Sequence, residues 1–163
     1  MARAARCARA CRGASSAGLL VALLAATPAS AQEQRANYFN DPFVQATHAI
    51  AACPVPSGPL ITRQDMLAQS HGRAERGTSC YQAGKCRLPN AYLYDADIVA
   101  RARKAVLAAP QFADTSLWIE GQRRWVWLKG CVRSRAQAEA LQHLVADIDD
   151  VERVFVEVTV QPP

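Results

Sequence analysis

Residues 123–134 read RRWVWLKGCVRS. In an extended chain Trp125 and Trp127 point to one side, and Val126 and Leu128 point to the other. A strand with one wet face alternates apolar with polar residues, but both faces of this one are apolar. The valine–leucine side asks for a core. The tryptophan side asks either for a cover or for a binding partner. Gly130 ends the run, immediately before Cys131. Glycine at that point suggests a positive φ or a close backbone approach.

The flanking sequence supplies the rest of a small layer structure. The stretch TSLWIEG precedes the tryptophan strand, and Gly121-Gln122 stands at the joint. Glycine first is what a type II′ hairpin turn requires. Leu117 and Ile119 then share the inner face with Val126 and Leu128, while Trp118 joins Trp125 and Trp127 outside. A two-residue loop sets Trp118 opposite Trp125, and a four-residue loop sets it opposite Trp127. Parity is the same in either case. After the strand, Ser134 and Gln137 have capping-box spacing. The helix that follows carries Ala138, Leu141, Val145 and Ile148 on one stripe. Asp149-Asp150 reads as the next turn. ERVFVEVTV is then a strand with Val154, Val156, Val158 and Val160 inward and Phe155 outward. Upstream, Asp95 or Asp97 is placed to cap a helix that buries Ile98, Ala102 and Val106, and Pro110 ends it. The order α-β-β-α-β implies an α+β fold, a small two-layer sandwich with its helices on one face of the sheet.

With these elements placed, LWIEGQRRWVWLKGCVRSRAQAEALQHLVADIDDVERVFVEVTV resembles the BON domain family. The likeness lies in the hairpin, the VWLKGCV strand ending in Gly130, the helix from Ser134 and the VERVFVEVTV strand. It implies a domain over residues 92–161 with the same α/β order, exported or membrane-associated in bacteria. It also implies binding to phospholipid surfaces or other envelope components, and it brings no catalytic motif. Gly130 transfers only as a structural position. One departure stands out: the family often has Gly before the V-x-x-V of the last strand, where this chain has Asp150. No second copy of the motif is found in residues 32–91.

The beginning of the chain agrees with export. Residues 1–31 combine Arg3, Arg6, Arg9 and Arg12, an apolar run AGLLVALLAA and a terminal ASA, the parts of a secretory signal peptide cut after Ala31. The apolar run is too short for a permanent span. Without these residues the 19 basic side chains fall to 15 against 14 acidic ones, a net charge of +1. The basic pI therefore belongs to the leader, and a nucleic-acid partner is not expected. Four cysteines remain: Cys53, Cys80, Cys86 and Cys131. An even number in an exported chain reads as two disulfides, and sequence leaves three pairings open. Our expectation is Cys80–Cys86, across the short CYQAGKC loop, and Cys53–Cys131, tying the two halves of the chain. No C-x-x-C or knuckle spacing supports a metal or redox reading.

Residues 32–91 read as a helical and loop segment, disulfide-tied, that leans on the domain. Asp41-Pro42 is a good helix start. Phe43, Ala46, Ala49, Ile50 and Cys53 fit a helical stripe, which CPVPSGP stops. Thr62 and Asp65 suggest a second, short helix through Met66, Leu67 and Ala68. HGRAERGTSCYQAGKCRLPN shows no periodicity and is expected to be loop.

No catalytic set is found, and neither an enzyme nor a cofactor is expected. His48, His71 and His143 lie in different segments, and no nucleophile, zinc or phosphate motif occurs. Two functions from different classes follow. One is a non-catalytic envelope binding module contacting a phospholipid surface or an envelope protein. The other is a structural or assembly adaptor without lipid binding. The expected binding surface is Trp118, Arg123, Trp125 and Lys129, at the hairpin end of the aromatic face. Trp127, in mid-strand, is expected to be buried. If the whole aromatic face is covered, the basic stretch around Arg73, Arg76, Lys85 and Arg87 is the alternative surface.

Overall fold

In the computed structural model, which describes residues 33–161, a mixed four-stranded sheet is packed on one side by two helices. The elements in chain order are β1 (Arg35–Ala36), β2 (Phe43–His48), β3 (Ile61–Thr62), α1 (Arg63–Gln82), α2 (Asp95–Ala108), β4 (Ser116–Gln122), β5 (Trp125–Val132), α3 (Arg135–Ala146) and β6 (Arg153–Val160). The main sheet has the order β2-β4-β5-β6. Antiparallel pairs join β2 to β4 and β4 to β5, and β6 returns parallel to β5 after α3. Short β1 and β3 form a separate two-stranded ladder.

The inner face is the expected one. Leu117, Ile119, Val126, Leu128 and Val132 pack with Ile98, Ala102 and Val106 of α2 and with Leu141 and Val145 of α3. Val154, Val156 and Val158 close the same core, whereas Val160 is exposed at the strand end. Ser134 caps α3 by accepting from the Gln137 N–H at 3.1 Å. The Gln137 carboxamide oxygen accepts from the amide of Arg133, so the return bond lands one residue before the N-cap. Asp150 has a φ of 71°. That left-handed conformation favours glycine and is tolerated by aspartate, so Asp150 can stand where the resemblance often has Gly.

Four expectations need correction. Residues 41–53 do not form a helix. Phe43–His48 is an edge strand paired to β4, because extended backbone here gives the fully buried β4 a second hydrogen-bonding neighbour. Pro42 stands just before that strand, where its missing N–H costs nothing. The Thr62 and Asp65 capping box is present, but the helix it starts runs on to Gln82 through the expected loop. That helix buries only Arg73 and Gly77, so it leaves no apolar periodicity to read. Asp95 and Asp97 do not cap α2, whose N-cap is Tyr94 and has no side-chain cap bond. The hairpin turn is Arg123-Arg124 rather than Gly121-Gln122, with φ values of 58° and 66°.

The two disulfides are Cys53–Cys131 and Cys80–Cys86. The first spans 78 residues and ties the segment after β2 to the end of β5. Closing a loop of that length contributes about 4 kcal/mol on the chain-entropy account. Thiol titration of the unfolded, unreduced protein should accordingly find none of these four cysteines free. Gly130 makes a second prediction. Its φ is 119°, and a Cβ there would run into the Ser116 carbonyl oxygen of the neighbouring strand. Gly130→Val should destabilise the fold by at least about 2 kcal/mol, despite the strand propensity of valine, as read from denaturant unfolding.

Candidate functional surface at the hairpin end of the sheet

The site is built from the turn outward. Arg123 and Arg124 both adopt left-handed backbone, which costs side-chain-bearing residues of the order of 1–2 kcal/mol each. The carboxylate of Asp95 offsets that cost. It accepts the Arg123 N–H and the Arg124 N–H, each at 2.7 Å. With the turn held this way, its two guanidinium groups part. Arg124 donates to the Asp150 carbonyl at 2.7 Å and to the Cys86 Sγ at 3.0 Å. Arg123 lies over the Trp125 ring, 4.3 Å from its centroid.

The register then distributes the aromatic residues. Trp125 stands opposite Gln122 and Arg153, Trp127 opposite Glu120 and Phe155, and Trp118 opposite Lys129. Trp127 and Phe155 stack at 5.0 Å, and Trp125 is tilted against both at 6.2 and 5.5 Å. Arg153 reaches the Trp125 and Phe155 rings at 5.3 and 5.9 Å. All three rings are half-buried. They form one partly open patch on β5 and β6 with a guanidinium at either side.

Trp118 is not part of that patch. It is 6% exposed, beneath Ile50, Cys53 and Cys131, with Phe43 alongside. The chain after β2, anchored by the Cys53–Cys131 bond, therefore covers one half of the outer face and leaves the other half. The turn position explains the reversal. Moving it to Arg123-Arg124 puts Trp118 at the disulfide end and Trp125 at the tip, and leaves Trp127 half-open rather than buried. Lys129 is turned inward as well, bonded to Glu120 at 2.7 Å with 16% of its side chain exposed. Of the four residues expected at the surface, the structure brings Arg123 and Trp125 together there. It adds Trp127, Phe155 and Arg153. The last two were readable in principle, since 153 and 155 share strand parity with each other and face away from the valines.

Beside the hairpin lies a buried polar cluster. Arg73 donates to both Asp41 carboxylate oxygens and is sandwiched between the Phe39 and Tyr92 rings, 4.0 Å from each centroid. Gln122 of β4 donates to the same Asp41 at 2.9 Å. Arg73 is thus structural, and Arg87 is paired with Asp150. Arg76 and Lys85 remain exposed. A cavity of about 370 Å³ between β2 and the end of α2 is lined by His48 and Thr47 among small apolar residues. Among the described residues that line it there is neither a carboxylate nor a thiol. Among the described residues no three His, Cys, Asp or Glu side chains converge as metal ligands.

Among the described residues the structure thus sets a half-open aromatic face flanked by Arg123 and Arg153 at the hairpin end of a small α+β module. Residues 94–162 match the family model of the BON domain, so the C-terminal part of the chain is a BON domain, a non-enzymatic family. No curated protein matches the chain. The family match begins at the residue before α2, so β2 lies outside it although it belongs to the same sheet.

Asp95 carries a pH prediction. Burial pushes its pKa up to about 6, against the lowering effect of the two turn amides. The folded state then holds the proton more tightly than the unfolded chain, whose aspartate titrates near 4. Stability from this group is fully present below pH 4 and is lost as pH rises through 6, by roughly 2–3 kcal/mol. Urea unfolding at several pH values between 4 and 7 should show this slope. Asp95→Asn, which cannot titrate, should flatten it.

Proposed function

We propose that the protein is a non-catalytic envelope module that rests its Trp125–Trp127–Phe155 face on an anionic phospholipid surface. A BON domain with two disulfides fits an envelope or periplasmic protein. The proposed leader and its cut after Ala31 lie outside the described residues. The observation that carries the lipid reading is the pairing of half-open indole and phenyl rings with Arg123 and Arg153 at one end of the sheet. Indole rings favour the boundary between headgroups and acyl chains, and guanidinium groups favour lipid phosphate.

Co-sedimentation with vesicles tests the reading. The protein should bind vesicles containing phosphatidylglycerol, bind pure phosphatidylcholine poorly, and weaken as salt rises. Arg123→Glu should lower the affinity by roughly tenfold or more, since each basic side chain near such a surface contributes about 1 kcal/mol. Trp125→Ala should also lower it, with a smaller effect on the melting temperature than Trp118→Ala. Binding that ignores lipid charge, or no binding at all, would overturn the proposal and favour the adaptor reading.

A further inference from the structure

The two edges of the main sheet are treated differently. On β2 the ladder is broken by a bulge between Gln45 and Thr47, and Arg103 donates to the edge carbonyl of Gln45 at 3.1 Å. Such irregularities and capping groups are how sheets keep foreign strands away. Edge strand β6 has none of these. It is eight residues long, contains no proline or lysine, and keeps an unbroken register with β5 from Arg153 to Val160. Among the described residues nothing pairs with its outer side. An open edge of this length is a template for another strand.

The sequence of β6 says which strand fits. Its only charges are Arg153 and Glu157, both exposed and both on the outer face. In an antiparallel pair, residues directly opposite each other share a face. When Phe155 lies opposite the partner's Phe155, Arg153 falls opposite the partner's Glu157, and Glu157 opposite the partner's Arg153. Val154 meets the partner's Val156 on the helix-bearing face. The five residues 153–157 are thus complementary to themselves in charge and in face, while residues 158–160 fall opposite the partner's turn residues 150–152 and lie outside the pairing. The two-fold axis this requires is that of an ordinary isologous contact.

We infer that β6 is a homodimerisation edge, with a second copy of this chain paired antiparallel through Phe155 and closed by two Arg153–Glu157 ion pairs. The two four-stranded sheets become one of eight strands. This goes beyond the lipid reading and does not depend on it.

Molar mass by light scattering or sedimentation, without lipid and over a range of concentrations, tests the inference. The wild-type chain should shift from monomer to dimer with concentration. Arg153→Glu and Glu157→Arg each place like charges opposite one another twice, so each should raise the dimer dissociation constant by roughly tenfold or more. The double exchange R153E/E157R should restore the dimer. Both residues are solvent-exposed, so folding should survive, and melting curves check that it does. Arg123→Glu, the variant that weakens vesicle binding, should leave the dimer constant unchanged, which separates the two proposals. A chain that stays monomeric throughout would overturn the inference. So would single variants that dimerise as well as the wild type, or a double exchange that fails to restore.

Discussion

The bond on which most of this structure depends is the one between the Asp95 carboxylate and the two amides of the Arg123-Arg124 turn. It acts across 28 residues of chain, from the first turn of α2 to the tip of the β4–β5 hairpin. A turn of two left-handed arginines has no local reason to form. Once Asp95 imposes it, the register of the hairpin follows, and so does the partner of every residue on both strands. A turn two residues earlier would preserve which side chains face the helices. It would also take Trp118 out from under the Cys53 loop. Asp95 therefore sets the position of the aromatic face rather than its existence.

The same end of the molecule is held from the other side by Asp41. It receives Arg73 from α1 and Gln122 from β4, and it lies close enough to Asp95 to help raise its pKa. The Arg73 charge is buried, so it costs desolvation, and it is stable there because both aspartate oxygens and two aromatic rings meet it. This cluster does for α1 what an apolar stripe does for an ordinary helix. α1 is attached by one ion pair, by the close approach of Gly77 to Asn90 and by the Cys80–Cys86 bond.

That arrangement explains what could be read from sequence and what could not. The inward set of Leu117, Ile119, Val126, Leu128, Leu141 and Val145 was legible because strand and helix periodicities both report burial against a core. The two disulfides were legible as an even count, and the expected pairing, one of three the sequence left open, is the one the structure has. β2 was not legible. Phe43, Ala46, Ala49 and Ile50 suit a helix locally, and only the pairing with β4 makes them extended. α1 was missed beyond its first turn because burial there is by Arg73, and charge burial has no period. The turn was missed because Gly121 was the better local candidate, and its rival depended on an acid 28 residues away. Of the half-open aromatic face, parity alone delivered Trp125 and Phe155, while the burial of Trp118 required the register.

A sheet with both faces apolar has two ways to finish, and this protein uses both on one surface. Near Cys131 the disulfide pins a loop over Trp118 and closes a second, small core. Near the hairpin tip no loop among the described residues covers the sheet, and Trp125, Trp127 and Phe155 shield one another and are shielded by Arg123 and Arg153. Phe155 lies on the edge strand, so the open half of the face runs up to the β6 border. A two-fold axis between antiparallel strands stands perpendicular to the sheet. It therefore keeps the outer faces of both copies on the same side. Pairing through Phe155 brings the two aromatic patches into one, with six rings and the Arg123 and Arg153 side chains of both copies pointing in a single direction. If the proposed lipid contact and the proposed pair both form, such a layout would double the contacts made in one plane without any new contact chemistry. The edge that would be an aggregation hazard in isolation would then be the seam that widens the face.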